Sequence, residues 1–155
     1  MTQHDTPVDI ARPDLSSTIV VGVDGSDDGR RALDWAIEEA KRRDLSLLLV
    51  HGVEVTMASA SPYGTGIVLE QLEQAAQDVL AEEAAYARAS GLTVTTRLEV
   101  GSPAYALIEA SHGAAMVVVG TRGHGGFAGM LLGSVSTACV HHAHCPVMVV
   151  RRPER

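Results

Sequence analysis

Aromatic rings and lysine are the scarcest features of this chain. One Trp, three Tyr and one Phe in 155 residues are too few for a base-stacking platform on single-stranded nucleic acid. Lys41 is the sole lysine, and the formal net charge is −7. No basic face for nucleic acid or an anionic membrane surface is therefore expected. The two cysteines, Cys139 and Cys145, do not make a disulfide framework. No apolar run reaches the roughly 20 residues that span a bilayer. The first residues lack the basic-then-apolar pattern of a secretory leader. These deficits point to a cytoplasmic protein with neither nucleic acid nor membrane as partner.

What remains is aliphatic and alternating. Thr18 to Val23 is a β-branched run, as in a strand buried on both faces. Asp24-Gly-Ser26-Asp-Asp28 follows with turn and helix-cap chemistry. Ala32, Leu33, Ala36, Ile37 and Ala40 then recur at helical spacing up to Arg43. Ser46 to His51 predicts a second strand, and Glu54 to Gly66 a loop of small residues that could serve as a lid. A long helix carries Val68, Leu72, Ala75, Ala76, Val79 and Leu80, with Gly91 beyond its end. Its acidic stretch from Glu70 to Glu83 reads as a solvated face. Thr93 to Val100 alternates like a more exposed strand, and Pro103 opens the next helix. Ala115 to Val119 and Pro146 to Val150 complete five strands. Strands alternating with helices predict a doubly wound α/β fold, a parallel sheet with helices on both faces. Residues 1–17 read as a flexible arm and residues 18–153 as one domain.

The strongest chemical signal lies between the fourth strand and the last helix. Gly120-Thr-Arg-Gly123-His-Gly125-Gly126-Phe-Ala-Gly129-Met-Leu-Leu-Gly133 holds six glycines in fourteen residues. Such a backbone can crowd its N–H groups around a ligand. The helix starting near Ser134 adds unpaired N–H groups and a positive dipole end. Together they predict an anion site, most simply for phosphate. G-x-x-x-x-G-K-[ST] does not occur, and Lys41 falls late on the first helix, away from the rim. A dinucleotide G-x-G-x-x-G is absent after the first strand. Arg122 and His124 are the local cations, with the Ser134 and Ser136 hydroxyls as further donors.

Two other constellations have structural readings. Asp24 follows a strand, so it can cap the next helix or turn. Cys139-Val-His141-His142-Ala-His144-Cys145 resembles a metal site in composition only. It lacks a second Cys/His pair at zinc spacing, so no metal is assigned there. Trp35 reads as a packing residue, and His51 and His112 as structural or solvated.

Gly120-x2-Gly123-x9-Gly133-Ser134 resembles the ATP-binding motif of the universal stress protein family. The likeness extends to Val21-Gly-Val-Asp24-Gly-Ser26, Leu49-Val-His51 and His142-Ala-His-Cys145-Pro146-Val, and so covers nearly all of the chain after residue 17. The resemblance implies a five-stranded parallel sheet in the order 3-2-1-4-5. It implies a nucleotide site formed by Asp24, Gly52, Val119, Gly120, Gly123, Gly133, Ser134, Val135 and Ser136, to which Gly22, Val23 and the local cations Arg122 and His124 are added. Asp24 would sit near ribose and adenine, and the Gly52 backbone would meet the base. Some family members carry a larger apolar residue at the position of Gly52. The family resemblance also implies a homodimer through the edge strand Val147, Met148, Val149 and Val150.

The function expected is a stress-response regulatory module that binds ATP, with Mg²⁺ or Mn²⁺ held mainly by the phosphates, and acts on a protein partner not identified. Two alternatives stay open: a slow ATP-hydrolysing enzyme, and a cyclic AMP binder of the same fold. Hydrolysis needs a water-positioning group and charge at the leaving phosphate. Only His124 and Arg122 offer these, so weak turnover is the most this chain would support.

Overall fold

The computed structural model describes residues 12–55, 65–122 and 131–153, with backbone alone at 65–67. The sheet forms because each strand is a short apolar run ended by a turn-former. β1 (Thr18–Gly22), β2 (Ser46–Val53), β3 (Val94–Val100), β4 (Met116–Gly120) and β5 (Val147–Val150) alternate with α1 (Asp27–Arg43), α2 (Thr65–Arg88), α3 (Pro103–Ala110) and α4 (Ser134–His142). All four strand pairings are parallel, and the strand order is β3-β2-β1-β4-β5. The expected fold and order are therefore observed.

Ile19, Val20 and Val21 are fully buried, because β1 lies mid-sheet with helices over both faces. The strand period of two divides the core. Ile19, Val21, Leu47, Leu49 and Val118 pack with Ala32, Leu33, Ala36 and Ile37 of α1 and with Leu80 and Ala84 of α2. Val20, Leu48, Val50, Val117 and Val119 face the other way, against Ala106, Leu107 and Ala110 of α3 and Cys139 of α4. Ser26 caps α1 by accepting from the Gly29 N–H at 3.1 Å. Ser102 caps α3 in the same way through Tyr105 N–H, with Pro103 at the first helical position.

Three sequence readings change in detail. β2 runs on through Gly52 and Val53, which pair with Glu99 and Val100 of β3. Glu83 is not solvated: it is 5% exposed and accepts from Nε and Nη2 of Arg30, each at 2.9 Å. The Arg30 guanidinium also lies 4.1 Å from the centroid of the Tyr86 ring, and the Tyr86 hydroxyl donates to Asp34 at 2.6 Å. A charged, half-buried clasp thus joins α1 to α2. Finally, Leu15 packs against the α3/α4 core cluster, and Arg12 lies 3.9 Å from Glu109. Residues 1–11 of the expected arm lie outside the described residues, as do residues 56–64 of the expected lid.

Candidate functional site

The chain crosses from β3 on one side of β1 to β4 on the other, so loops diverge above the carboxyl ends of β1 and β4. Ligands of such sheets settle at that switch point. A cavity of about 650 Å³ lies there. Gly22, Val23 and Asp24 line it from the end of β1, Gly52 from β2, Val119, Gly120 and Arg122 from the end of β4, and Gly133, Ser134, Val135 and Ser136 from the start of α4. These are eleven of the thirteen site residues expected from sequence. Gly123 and His124 lie outside the described residues.

The β1 wall is pre-organised by hydrogen bonds. Asp24 Oδ1 accepts from the Ser26 N–H at 3.0 Å and from the Ser26 hydroxyl at 2.5 Å. The same hydroxyl oxygen accepts from Gly29, so Ser26 is the cap and Asp24 braces it. A Cβ at Gly29 would lie 2.7 Å from Asp24 Oδ1; glycine there leaves space for the carboxylate.

At the opposite wall, α4 begins at Gly133 with no side-chain cap. Among the described residues no side chain takes its first-turn amides, and such amides are what an anion uses. The Ser136 hydroxyl is engaged within the fold. It donates to the Thr121 carbonyl at 2.9 Å, with the Gly133 carbonyl at 3.1 Å. Lys41 is in the last turn of α1, 3.4 Å from Glu38, remote from the rim where that helix begins.

Two close approaches explain glycines that sequence alone assigned to a ligand. A Cβ at Gly52 would stand 2.5 Å from Pro103 Cα, and one at Gly120 would stand 2.7 Å from the Asp28 carbonyl oxygen. Gly52 therefore lets the start of α3 close on β2. Gly120 lets the start of α1 close on β4.

Sequence reasoning missed the apolar wall. Leu72, Ala75, Ala76 and Val79 of α2 line the cavity, as do Pro103 and Leu107 of α3. The helical spacing of the α2 residues was visible, but their facing the rim was not. His51 also lines the cavity, and its Nδ1 lies 2.5 Å from the Val23 carbonyl oxygen. A carbonyl only accepts, so Nδ1 carries the proton of this contact.

Elsewhere, in the cysteine–histidine stretch, Cys139 is buried and His141, His142 and His144 are exposed. Burial pushes the Cys139 thiol up to about 11, and Cys145 is raised as well. His144 stacks on His112 with ring centroids 3.7 Å apart. No group of three or more His, Cys, Asp or Glu is placed to hold a metal ion among the described residues. Nor, among them, is any helix long and apolar enough to cross a membrane.

These features define a doubly wound α/β domain with a cavity at its switch point, walled by a glycine-flanked helix start. The universal stress protein family profile matches residues 16–151, and the chain belongs to that family. A universal stress protein of Mycolicibacterium smegmatis is 39% identical over 92% of this chain and 48% of its own length. One from Mycobacterium tuberculosis is 36% identical over 96% of this chain and 49% of its own. The chain thus spans about half the length of the curated relatives it matches. A universal stress protein solved in complex with cAMP is 30% identical, with a TM-score of 0.66, covering 86% of this chain and 96% of that one.

Proposed function

We propose that this chain is an adenine-nucleotide-binding regulatory module, with ATP as the ligand of the glycine loop. The observation that carries the proposal is the uncapped start of α4 in the same cavity as the braced Asp24 carboxylate. The first suits phosphate, and the second suits ribose hydroxyls. The α2 and α3 side chains supply an apolar surface for the base, beside the Gly52 backbone. Gly123 and His124 are assigned to the phosphate end with Arg122. The related structure in complex with cAMP supports an adenine ligand and keeps cyclic AMP as the second reading.

Mg²⁺ or Mn²⁺ would be held mainly by the phosphates. Asp24 and Glu54 at the rim are oxygen donors of the kind these ions prefer. Hydrolysis, if any, is slow: the one lysine is paired at the far end of α1, and Arg122 is the sole cation lining the cavity among the described residues. The module works in the cytoplasm within a domain of residues 18–153. β5 is a sheet edge, and Met148 on it is 36% exposed. A second copy pairing along Val147 to Val150 would cover that edge, and ligand occupancy would alter contacts with a regulatory protein partner.

Thermal unfolding with and without ATP plus Mg²⁺, repeated with AMP and cyclic AMP, tests this. Ligand at 100 times its Kd stabilises the folded state by about 2.7 kcal/mol. A shift with ATP is the expected result. A shift with cyclic AMP alone would replace the ligand, and no shift with any nucleotide would overturn the proposal.

A further inference from the structure

We propose that Asp28 is a positioning residue for the anion site: it holds the base of the glycine loop closed through Thr121, without touching the ligand. The inference rests on the nucleotide reading above for its consequence, and on geometry for its mechanism.

Asp28 is the second residue of α1 and is 7% exposed. It is absent from the cavity lining. A carboxylate this buried is costly unless it is paired. Its Oδ2 accepts from the Thr121 hydroxyl at 3.2 Å. Its Oδ1 accepts from Arg31 at 2.9 Å and from Arg152 at 3.4 Å. The first turn of α1 also favours negative charge. Capping of α1 does not account for Asp28, because Ser26 already performs it.

Thr121 is the residue where the chain leaves β4 for the glycine loop. Its carbonyl accepts from the Gly133 N–H at 2.6 Å, where the loop returns, and from the Ser136 hydroxyl at 2.9 Å. Entrance and exit of the loop thus meet at one oxygen atom. That atom belongs to the residue whose hydroxyl Asp28 holds. Gly120, the preceding residue, has no room for a Cβ against the Asp28 backbone, so α1 and β4 form a fixed anvil beneath the loop. Releasing Thr121 would let the start of α4 drift from the end of β4, and first-turn amides lose binding strength when their geometry loosens. Loss should fall on the phosphate and spare the base and ribose.

The test uses the whole chain as wild type, Asp28→Ala, Thr121→Val and the double variant, with ATP and adenosine as probes. Each single change should weaken ATP binding about tenfold, as for a lost hydrogen bond to a charged group, and leave adenosine within about twofold. The double variant should bind ATP no more weakly than Asp28→Ala, because the pair acts as one unit. Asp28→Asn, which keeps an oxygen for Thr121, should recover most of the loss. Hydrogen exchange without ligand gives a second readout. The Gly133 amide should exchange faster in both single variants, with the Val20 and Leu48 amides unchanged. Equal losses for ATP and adenosine, additive losses, or an unchanged Gly133 amide would overturn the proposal. If wild type binds neither probe, the nucleotide reading fails, and Gly133 exchange still decides whether the clasp exists. Should Asp28→Ala not fold, Thr121→Val gives both readouts alone.

Discussion

The two faces of the sheet are built differently. One carries α1 and α2, of 17 and 24 residues, over a cluster that includes Leu33, Leu47, Leu49 and Leu80. The other carries α3 and α4, of 8 and 9 residues, over a smaller cluster that includes Leu48, Val50, Leu107 and Cys139. The long-helix face also holds the half-buried Arg30–Glu83 pair. The short-helix face holds the uncapped α4 start and the close Gly52–Pro103 approach. Long helices bury enough apolar surface to fix the domain. The short ones, anchored by caps and close contacts, place backbone groups at the rim. The larger apolar cluster lies on the long-helix face, and the α4 start at the cavity lies on the short-helix face.

This contrast can be broken by mutation. Leu33→Ala, in the long-helix core, should lower unfolding free energy by about 3 kcal/mol or more, read as a lower urea midpoint. Cys139→Ala, in the short-helix core, removes one sulfur and should cost about 1 kcal/mol. A larger loss for Cys139→Ala would reverse the comparison. Arg30→Met should cost about 3 kcal/mol by leaving Glu83 buried and unpaired, with part of that loss restored when Glu83→Gln is added. Additive losses in that cycle would show that the two residues act separately.

Gly52→Val probes the short-helix side. A Cβ there meets Pro103 backbone at 2.5 Å, so α3 must shift, at about 2 kcal/mol. An unchanged midpoint would mean that α3 moves freely. The smallest effect is in pH dependence. His112 is held below its ordinary value by desolvation first, then by Arg12 and His144, with Glu109 opposing. A depressed histidine favours the neutral form when folded. Its stabilisation is therefore complete above about pH 6.5 and lost as pH falls through the folded value. The wild-type urea midpoint should fall from pH 7 to pH 5 by more than that of His112→Gln. Equal slopes would remove the histidine stack from the account.

Much of the fold was legible because each β-branched run was bounded by Gly, Pro, Ser or Asp, and helical spacing filled the gaps between runs. Strand order came from the resemblance of the glycine spacing to a known motif. The α4 wall was legible for the same reason: glycine spacing is a local signal. Contacts between residues remote in the chain were not legible. Glu83 looked solvated because its partner, Arg30, lies 53 residues away. The Thr121–Asp28 bond spans 93 residues. β2 ran past His51 because β3 offered partners to Gly52 and Val53, which local sequence does not show. The α2 wall of the cavity depends on how that helix lies over the sheet, and periodicity alone does not fix this.

The central claim is that the start of α4 is an anion site. Gly133 has extended backbone, and among the described residues a Cβ there meets nothing closer than 3.5 Å, so Gly133→Asp should be accommodated. Its carboxylate would cap α4, raising apo stability by a few tenths of a kcal/mol, and would occupy the place of a phosphate. The measurement is the thermal shift of Gly133→Asp with ATP and Mg²⁺ beside wild type. The account predicts an apo midpoint equal to or above wild type and loss of the ATP shift. An ATP shift as large as that of wild type would contradict it.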